Sequence, residues 1–296
     1  MDLSTSSLLS DLKLAGSFPD GMFADADFIS FLNTGFYSEI IPFIMRHREE
    51  FFVTYSDNTY ADTLAIPSNA ISQKLRDVVR VDSSGNFLGN LPRLTLEEMT
   101  GNGSYGSNTG FYLEDNSVKF YPTGTISDLI RLYYFQRPNK MELESNCMEL
   151  TSISGADASG TIPTTWTTST SISVISATQP YTVTDSYTIS VIDTGAGTIT
   201  LSSSGFAEGD FICPRGYTAI PKIPLELRDC LIQAGIVNAL VSLKDLNGVK
   251  LAREELYIAL QNASGLISPR VEGETKKIVN NSGIWRAGRN KNGRGN

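Results

Sequence analysis

Apolar positions in the first fifty residues recur at helical spacing. Residues 6–15 predict a short helix closed by Gly16, and residues 25–32 predict a second one with Asp25 as its N-cap. An interior proline costs about 3 kcal/mol, so Pro42 indicates that a third helix becomes regular near it and that helices two and three are short and successive. One face of this third helix carries Phe36, Ile40, Phe43, His47 and Phe51.

From residue 52 the pattern changes to short strands separated by turns. Such runs, rich in β-branched and aromatic residues, are typical of antiparallel strands. We therefore expect a small antiparallel sheet, whose last strand is ended by Pro138. Its strands are residues 74–81, 111–113, 117–121 and 129–135.

A Ser/Thr-rich segment follows, in which no Lys or Arg occurs between Lys140 and Arg215. Such a weakly charged segment is compatible with disorder, but the apolar alternation of Tyr187, Ile189 and Val191 favours an ordered β-domain inserted into the main fold. A turn containing Gly195 and Gly197 joins the last two of its β-branched runs as a hairpin. These runs are residues 171–175, 187–192 and 198–201.

Helical spacing returns after Pro224. Residues 230–243 are apolar on nearly every side, which predicts a helix buried between several neighbours or between subunits. Asn247-Gly248 is expected to break it, and a second helix, ended by Gly265, completes an αα-hairpin. The second helix presents Val249, Ala252, Leu256, Ala259 or Leu260, and Ala263 on one face. The candidate subunit-interface residues of the first are Leu231, Ile232, Ile236, Leu240 and Leu243.

These elements predict an α+β fold. It consists of a helical body, made of the N-terminal helices and the C-terminal αα-hairpin, together with a small antiparallel sheet. We assign residues 1–140 and 217–266 to this body, residues 141–216 to the inserted β-domain, and residues 267–296 to an extended C-terminal arm.

Charge separates the arm from the rest of the chain. The whole chain has 24 Lys and Arg against 32 Asp and Glu, a net charge of -8, which disfavours general binding to nucleic acid or anionic membranes. The arm alone has seven basic and two acidic residues. It is either a disordered solubilising tail or, as we favour, a segment that docks on an acidic partner. The candidate docking residues are Arg270, Lys276, Lys277, Ile284, Trp285, Arg286 and Arg289.

Residues able to support catalysis are sparse. His47 is the only histidine, and it lies in a charged helical turn, so we interpret it as a helix-surface or interface residue. The carboxylate pairs Glu49-Glu50 and Glu97-Glu98 are adjacent in sequence and do not face one another across a site. We therefore expect neither an enzyme nor a metal or cofactor site.

Two further motifs have structural interpretations. Cys147, Cys213 and Cys230 are odd in number and widely spaced, which indicates reduced thiols used in packing and no zinc site. Residues 101–106 match the G-x-G-x-x-G pattern, but a helix is expected before them and a strand hairpin after them. This is the wrong context for dinucleotide binding. The N-terminus lacks a signal-peptide pattern and no apolar stretch is long enough to span a bilayer, so we expect synthesis in the cytoplasm and no membrane partner.

The order of these segments resembles that of a known protein family over most of residues 1–140 and 217–296. The residues of this resemblance are Tyr37-Ser-Glu-Ile-Ile-Pro42, Arg48-Glu-Glu-Phe-Phe52, Ile66-Pro67, Val118-Lys-Phe-Tyr-Pro122, Ile130-Arg-Leu-Tyr-Tyr-Phe-Gln-Arg-Pro138, Ile223-Pro224, Pro269-Arg-Val-Glu-Gly273 and Ile284-Trp-Arg286. In this order the chain resembles the head-to-tail adaptor (connector or neck) proteins of tailed bacteriophages, particularly those of short-tailed and crAss-like phages.

The resemblance implies a structural protein of the virion neck. Such adaptors form homo-oligomeric rings, usually of twelve copies, beneath the portal protein ring and above downstream tail or neck proteins. Double-stranded DNA passes through them without sequence-specific binding, and their C-terminal arms reach onto the portal. The insertion at residues 141–216 departs from the simplest adaptors. A rival hypothesis is a tail or capsid-surface module that recognises a host glycan by stacking Trp166, Tyr181 and Tyr187 on sugars.

Overall fold

The computed structural model describes residues 3–95, 98, 109–124, 126–185 and 187–268, and their fold is α+β, as predicted. Helices occupy the two ends of this described part and strands the middle. Its α-helices are α1 Thr5–Ala15, α2 Asp25–Gly35, α3 Ile41–His47, α4 Arg228–Ser242 and α5 Leu246–Ile267.

The predicted second and third helices are one continuous helix. A π-helical turn, Phe36–Ile40, joins α2 to α3, and the Ile41 N–H donates to the Phe36 carbonyl, five residues back. Proline clashes with the carbonyl four residues before it, which for Pro42 is that of Ser38. The wider π turn accommodates this proline, so it does not divide the helix as we expected.

The caps of the first two helices agree only in part with the prediction. Ser4 Oγ accepts a hydrogen bond from the Ser7 N–H (3.4 Å), and Gly16 ends α1 as expected. The N-cap of α2 is Ala24, where we expected Asp25; its N–H donates to the Asp27 carboxylate at 3.0 Å. The carboxylate of the third helical residue therefore does the capping.

The joined helix Asp25–His47 is 23 residues long and, by length and composition alone, apolar enough to cross a membrane. The expectation that no stretch reaches that length was therefore wrong. In the fold, its apolar side chains Phe28, Leu32, Phe36, Ile40 and Ile44 are buried in the main hydrophobic core. Packing inside the protein accounts for the apolar composition of this helix.

Strands of the described part form five small sheets, four of them antiparallel throughout. The strands are β1 Val53–Thr59, β2 Thr63–Ala65, β3 Ala70–Val81, β4 Phe87–Asn90, β5 Gly110–Glu114, β6 Ser117–Tyr121, β7 Leu129–Gln136, β8 Lys140–Met141, β9 Met148–Glu149, β10 Ser152–Ser154, β11 Asp157–Ser159, β12 Ile172–Ile175, β13 Val183–Thr184, β14 Ile189–Asp193, β15 Thr198–Leu201, β16 Phe211–Pro214 and β17 Tyr217–Thr218.

The small sheet predicted in the first half is in fact two sheets. One has the order β1-β7-β3-β4 and the other β2-β6-β5, so β3 and β7 lie apart from β5 and β6. Register shifts in β3, where Ser72 and Gln73 have φ of 48° and 54°, bend this long strand. Ile130 and Leu132 of β7 pack with Phe111 and Phe120 in a core shared by the two sheets.

The Ser/Thr-rich segment is ordered as two four-stranded sheets, β10-β11-β15-β14 and β13-β12-β16-β9. A second core contains residues of both sheets, among them Met148, Ile199 and Ile212, together with Trp166 from the loop between β11 and β12. Ile175 and Phe211, in the sheet of β12 and β16, belong instead to the helical core. One sheet of this segment therefore also packs against the helices.

The chain leaves the helical body through β8 and returns through β17, which lie side by side as a parallel pair. Asn33 of α2 fixes this crossing, because its side chain donates to the Met141 carbonyl (2.9 Å) and accepts from the Met141 N–H (2.8 Å). The Asn33 side chain thus makes the donor and acceptor contacts that a neighbouring strand would make. It attaches β8 to α2 directly and β17 through its pairing with β8.

The predicted hairpin between β14 and β15 is confirmed. Asp193 pairs with Thr198, and the Asp193 carboxylate accepts from the N–H groups of Gly195 and Ala196, both at 2.9 Å. The alternation predicted for β14 fails at Val191, which is 55% exposed, because the register shifts after Ile189. One bulge therefore turns Val191 to the outer face.

The predicted αα-hairpin is formed by α4 and α5, with different boundaries. Lys244 adopts φ of 59° in the turn, and Asp245 caps α5 by accepting from the Gly248 N–H at 3.0 Å. Because of this cap, Asn247-Gly248 lies inside the first turn of α5 and does not break it. Gly265 is also helical, and the helix continues to Ile267.

Helix α4 lies at the centre of the helical body and contacts α1, α2 and α5. Arg228 at its start is buried, donates to Ser7 Oγ at 3.0 Å and forms an ion pair with Asp11. Where α4 meets α2, a Cβ added at Gly35 would lie 2.7 Å from Ala234 Cβ and 3.0 Å from its carbonyl carbon. The two backbones approach so closely that the methyl group of Ala234 leaves no room for a second one at Gly35.

We predict that Gly35→Ala lowers the free energy of unfolding by about 1–3 kcal/mol, because overpacking outweighs the gain in helix propensity. Gly265→Ala is the matched control: nothing lies within 4 Å of the added Cβ, so it should stabilise by about 0.5–1 kcal/mol. Urea denaturation of both variants measures the two effects. Equal stabilisation by both would contradict the close approach.

Candidate assembly interface

The predicted subunit-interface residues on α4 separate into two groups. Leu231, Ile232 and Ile236 are buried among the other helices of the same chain, so they have no free surface to offer a neighbour. Leu240 is half-buried and Leu243 is exposed. The sequence left open whether this helix is buried among its own neighbours or between subunits. The structure buries these three side chains within their own chain.

Exposed apolar side chains are concentrated elsewhere on the hairpin. The described residues include sixteen exposed large apolar side chains, and seven of them lie between residues 241 and 266, so this region is the leading candidate for a contact surface. We call this surface the hairpin face. It consists of Val241, Leu243, Leu246, Leu251, Tyr257, Ile258 and Leu266.

Helix α5 is apolar on two sides. Its inner side buries Ala252, Leu256 and Ala263 in the helical core, as the predicted spacing required. On the outer side, Leu251 and Ile258 are seven residues apart, which places them two turns apart on one stripe. A helix apolar on both sides is typical of one covered on both sides, so the outer stripe is suited to a partner.

A groove of about 450 Å³ adjoins the hairpin face. Its walls are Pro42, Phe43 and His47 from α3 and Tyr257 and Leu260 from α5. The His47 and Phe43 rings are in contact, tilted at 47° with centroids 4.5 Å apart. His47 therefore lines a groove at the surface, in agreement with its interpretation as a helix-surface or interface residue.

Several predicted features lie outside the described residues. They are the whole set of arm residues, Arg270, Lys276, Lys277, Ile284, Trp285, Arg286 and Arg289, together with Glu97 and the glycine motif at residues 101–106. The other carboxylates considered form surface contacts. Glu50 lies 3.3 Å from Arg48 and Glu49 lies 3.9 Å from Lys74, while Glu98 accepts from the Thr95 N–H at 2.7 Å.

The three cysteines are buried and free, as predicted. Cys147 and Cys213 are neighbours across β9 and β16, and burial, together with the hydrogen bond to Cys147, raises the pKa of Cys213 well above its usual value. Burial also raises the pKa of Cys230 to about 11. Among the described residues, no group of three or more His, Cys, Asp or Glu side chains is arranged to hold a metal ion.

The aromatic residues of the glycan hypothesis are in the wrong place for stacking on a sugar. Trp166, Tyr181 and Tyr187 are all buried. Tyr187 packs edge-on against Phe206, with centroids 5.9 Å apart, and its hydroxyl donates to the Ser204 carbonyl at 3.3 Å. These rings fill cores and offer no exposed stacking surface, as is usual for aromatic residues in strands.

Comparisons with known proteins add no assignment. No protein-family profile matches the chain, and no curated protein sequence matches it significantly.

We predict that the thiols are protected in the folded protein. At pH 8, Ellman's reagent should label the native chain slowly, because the reactive thiolate is scarce and buried. After denaturation in guanidinium chloride, all three cysteines should react promptly. Stoichiometric labelling of the native protein within minutes would contradict the burial of these groups.

Proposed function

We propose that this chain is a structural virion protein that forms the head-to-tail adaptor ring beneath the portal of a tailed bacteriophage. In this role it joins capsid to tail and lines the DNA exit channel. The observation that carries the proposal is the hairpin face, because a monomer rarely leaves such a concentration of apolar side chains uncovered. The partner that we assign to it is a neighbouring copy of the same chain.

A ring requires a heterologous contact, in which one surface of each copy meets a different surface of the next. The hairpin face supplies the first of these surfaces, and its stripe of Leu251 and Ile258 lies on the outer side of the long helix α5. Helix α5, which carries most of this face, packs against α4, the most buried helix of the body.

The net charge suits a channel for DNA. The acidic residues outnumber the basic ones by eight in the whole chain, and the arm holds an excess of basic residues, so the rest is more acidic still. A negatively charged wall does not retain phosphates and lets a duplex pass. Sequence-specific contact with DNA is not part of this role.

The arm is proposed to dock on the portal. Helix α5 ends at Ile267, and the basic residues of the arm follow directly. The arm therefore continues from the same helix that carries the hairpin face, so contacts to a neighbour and to the portal would begin from one element. Trp285-Arg286 is the proposed anchor, because Trp and Arg dominate binding energies at interfaces.

The rival glycan-binding role has lost the residues that supported it, because Trp166, Tyr181 and Tyr187 are buried. The Ser/Thr-rich sheets are instead proposed to face the periphery of the ring or the next tail component.

We predict that Ile258→Glu prevents ring formation, because it places a charge at the centre of the buried contact. Val191→Glu is the matched control, since Val191 is 55% exposed and Ile258 is 57% exposed, but Val191 lies on β14, far along the chain from the hairpin. Sedimentation velocity, with and without portal rings, should show that only the first variant fails to assemble. Unchanged assembly of Ile258→Glu would remove the hairpin face from the interface.

A chain truncated after Ser268 should fold but lose its affinity for the portal. The cut falls after Ile267, which is buried in the helical core, so the body keeps its packing. Circular dichroism checks folding, and a pull-down with the purified portal ring measures binding. Portal binding equal to that of the full chain would refute the docking role of the arm.

A further inference from the structure

A cleft of about 500 Å³ opens where the helical body meets the Ser/Thr-rich sheets. The body contributes Arg48, Phe51 and Gln136 to its walls, and the sheets contribute Gln179 and Thr182. Lys222, in the segment that returns from the sheets to α4, lines the same cleft. This cleft is separate from the hairpin face and from the groove beside α3.

Lys222 is half-buried and poorly matched by its own chain. Among the described residues, its ammonium makes one polar contact, to Gln136 Oε1 at 3.4 Å, and no carboxylate of that part of the chain lies within ion-pair distance. Burial lowers the pKa of this lysine. An ammonium group has three donors, so a long contact to one neutral acceptor leaves most of its hydrogen-bonding capacity unused.

The other charged groups of the cleft are already matched or exposed. Arg48 forms an ion pair with Glu50 at 3.3 Å, and Glu226 is exposed on the lining. With Arg48 held by Glu50, Lys222 is the lining cation that has no ion pair with a described residue, and its single positive charge suits a single negative charge better than a doubly charged phosphate.

We propose that this cleft binds a carboxylate group, with the Lys222 ammonium as its charged donor. Gln136, Gln179 and Thr182 line the cleft and offer neutral hydrogen-bonding groups beside it. The carboxylate comes either from a small organic acid or from an acidic side chain of a protein segment, and the two sources share this chemistry. A half-buried cation with one long contact to a neutral acceptor, held at some cost to stability, is typical of a binding residue.

The test uses the full chain and three probes: acetate, an acetylated and amidated tri-glutamate peptide, and inorganic phosphate. NMR of the protein labelled with ¹³C-lysine follows the Lys222 side chain during each titration. We expect acetate or the peptide to shift the Lys222 signal saturably and to raise its pKa, because a nearby anion favours the charged form. Tighter binding of the peptide indicates a protein source, and tighter binding of acetate indicates a small acid.

Lys222→Gln should weaken binding of the carboxylate probe at least about tenfold, as expected for loss of a charge-assisted hydrogen bond. Lys250→Gln, at an exposed position on α5, is the matched control and should bind as the parent does. No saturable shift of Lys222 with either carboxylate, or tighter binding of phosphate than of both, would overturn the proposal. These readouts do not depend on ring assembly.

The folding of the Lys222→Gln variant has its own expected result. A lysine pKa lowered by burial means that the charged form destabilises the fold below that pKa, and that this cost disappears as pH rises past the ordinary value of 10.5. The variant should therefore melt at an equal or higher temperature than the parent at pH 7, with the difference shrinking at higher pH. A lower melting temperature at pH 7 would show that Lys222 is a structural residue and would also overturn the proposal.

Discussion

The close approach of α2 and α4 at Gly35 and Ala234 sets the position of almost everything else in the helical body. Because of this close approach, α4 packs between α1, α2 and α5, and most of its apolar side chains are buried there. Asn33, two residues before Gly35, forms two hydrogen bonds with the backbone of Met141. These bonds fix the point where the chain leaves the helical body for the Ser/Thr-rich sheets. One helix crossing thus positions the hairpin above it and the sheets beside it.

This arrangement also explains why α5 has two apolar sides. Its inner side completes the burial of α4, while its outer side carries Leu251 and Ile258 into solvent. In an isolated subunit the outer side gains nothing from being apolar, whereas in a ring it would supply the contact between copies. The cleft at Lys222 lies at the other junction, between body and sheets, so the two proposed binding surfaces are served by different parts of the fold.

The sequence patterns identified the five α-helices and seven of the seventeen strands of the described part, because local spacing decides these elements. The β14–β15 hairpin was predictable from its turn residues, and β15 from its β-branched run. The π turn was not, since the effect of Pro42 depends on how the preceding carbonyls are arranged, and neither was the bulge that exposes Val191. Such features follow from tertiary packing and not from residue spacing.

The predicted interface residues lie on α4, whereas the proposed hairpin face lies mainly on α5. An apolar helix is equally consistent with a core or a subunit contact, and only the fold shows that Leu231 and Ile236 are enclosed by their own chain. The seven-residue spacing of Leu251 and Ile258 was visible in the sequence and would have indicated the outer stripe of α5. The Lys222 cleft had no such signal, because its walls come from segments far apart in the chain.

Native mass spectrometry of the full chain, alone and with the portal ring, tests the central claim most directly. The subunit mass is 32.2 kDa, and the proposal predicts a closed oligomer whose bound mass is an integral multiple of it, usually twelvefold in the proposed adaptor family. A chain that remains a monomer in both conditions, with no mass added to the portal, would contradict the account.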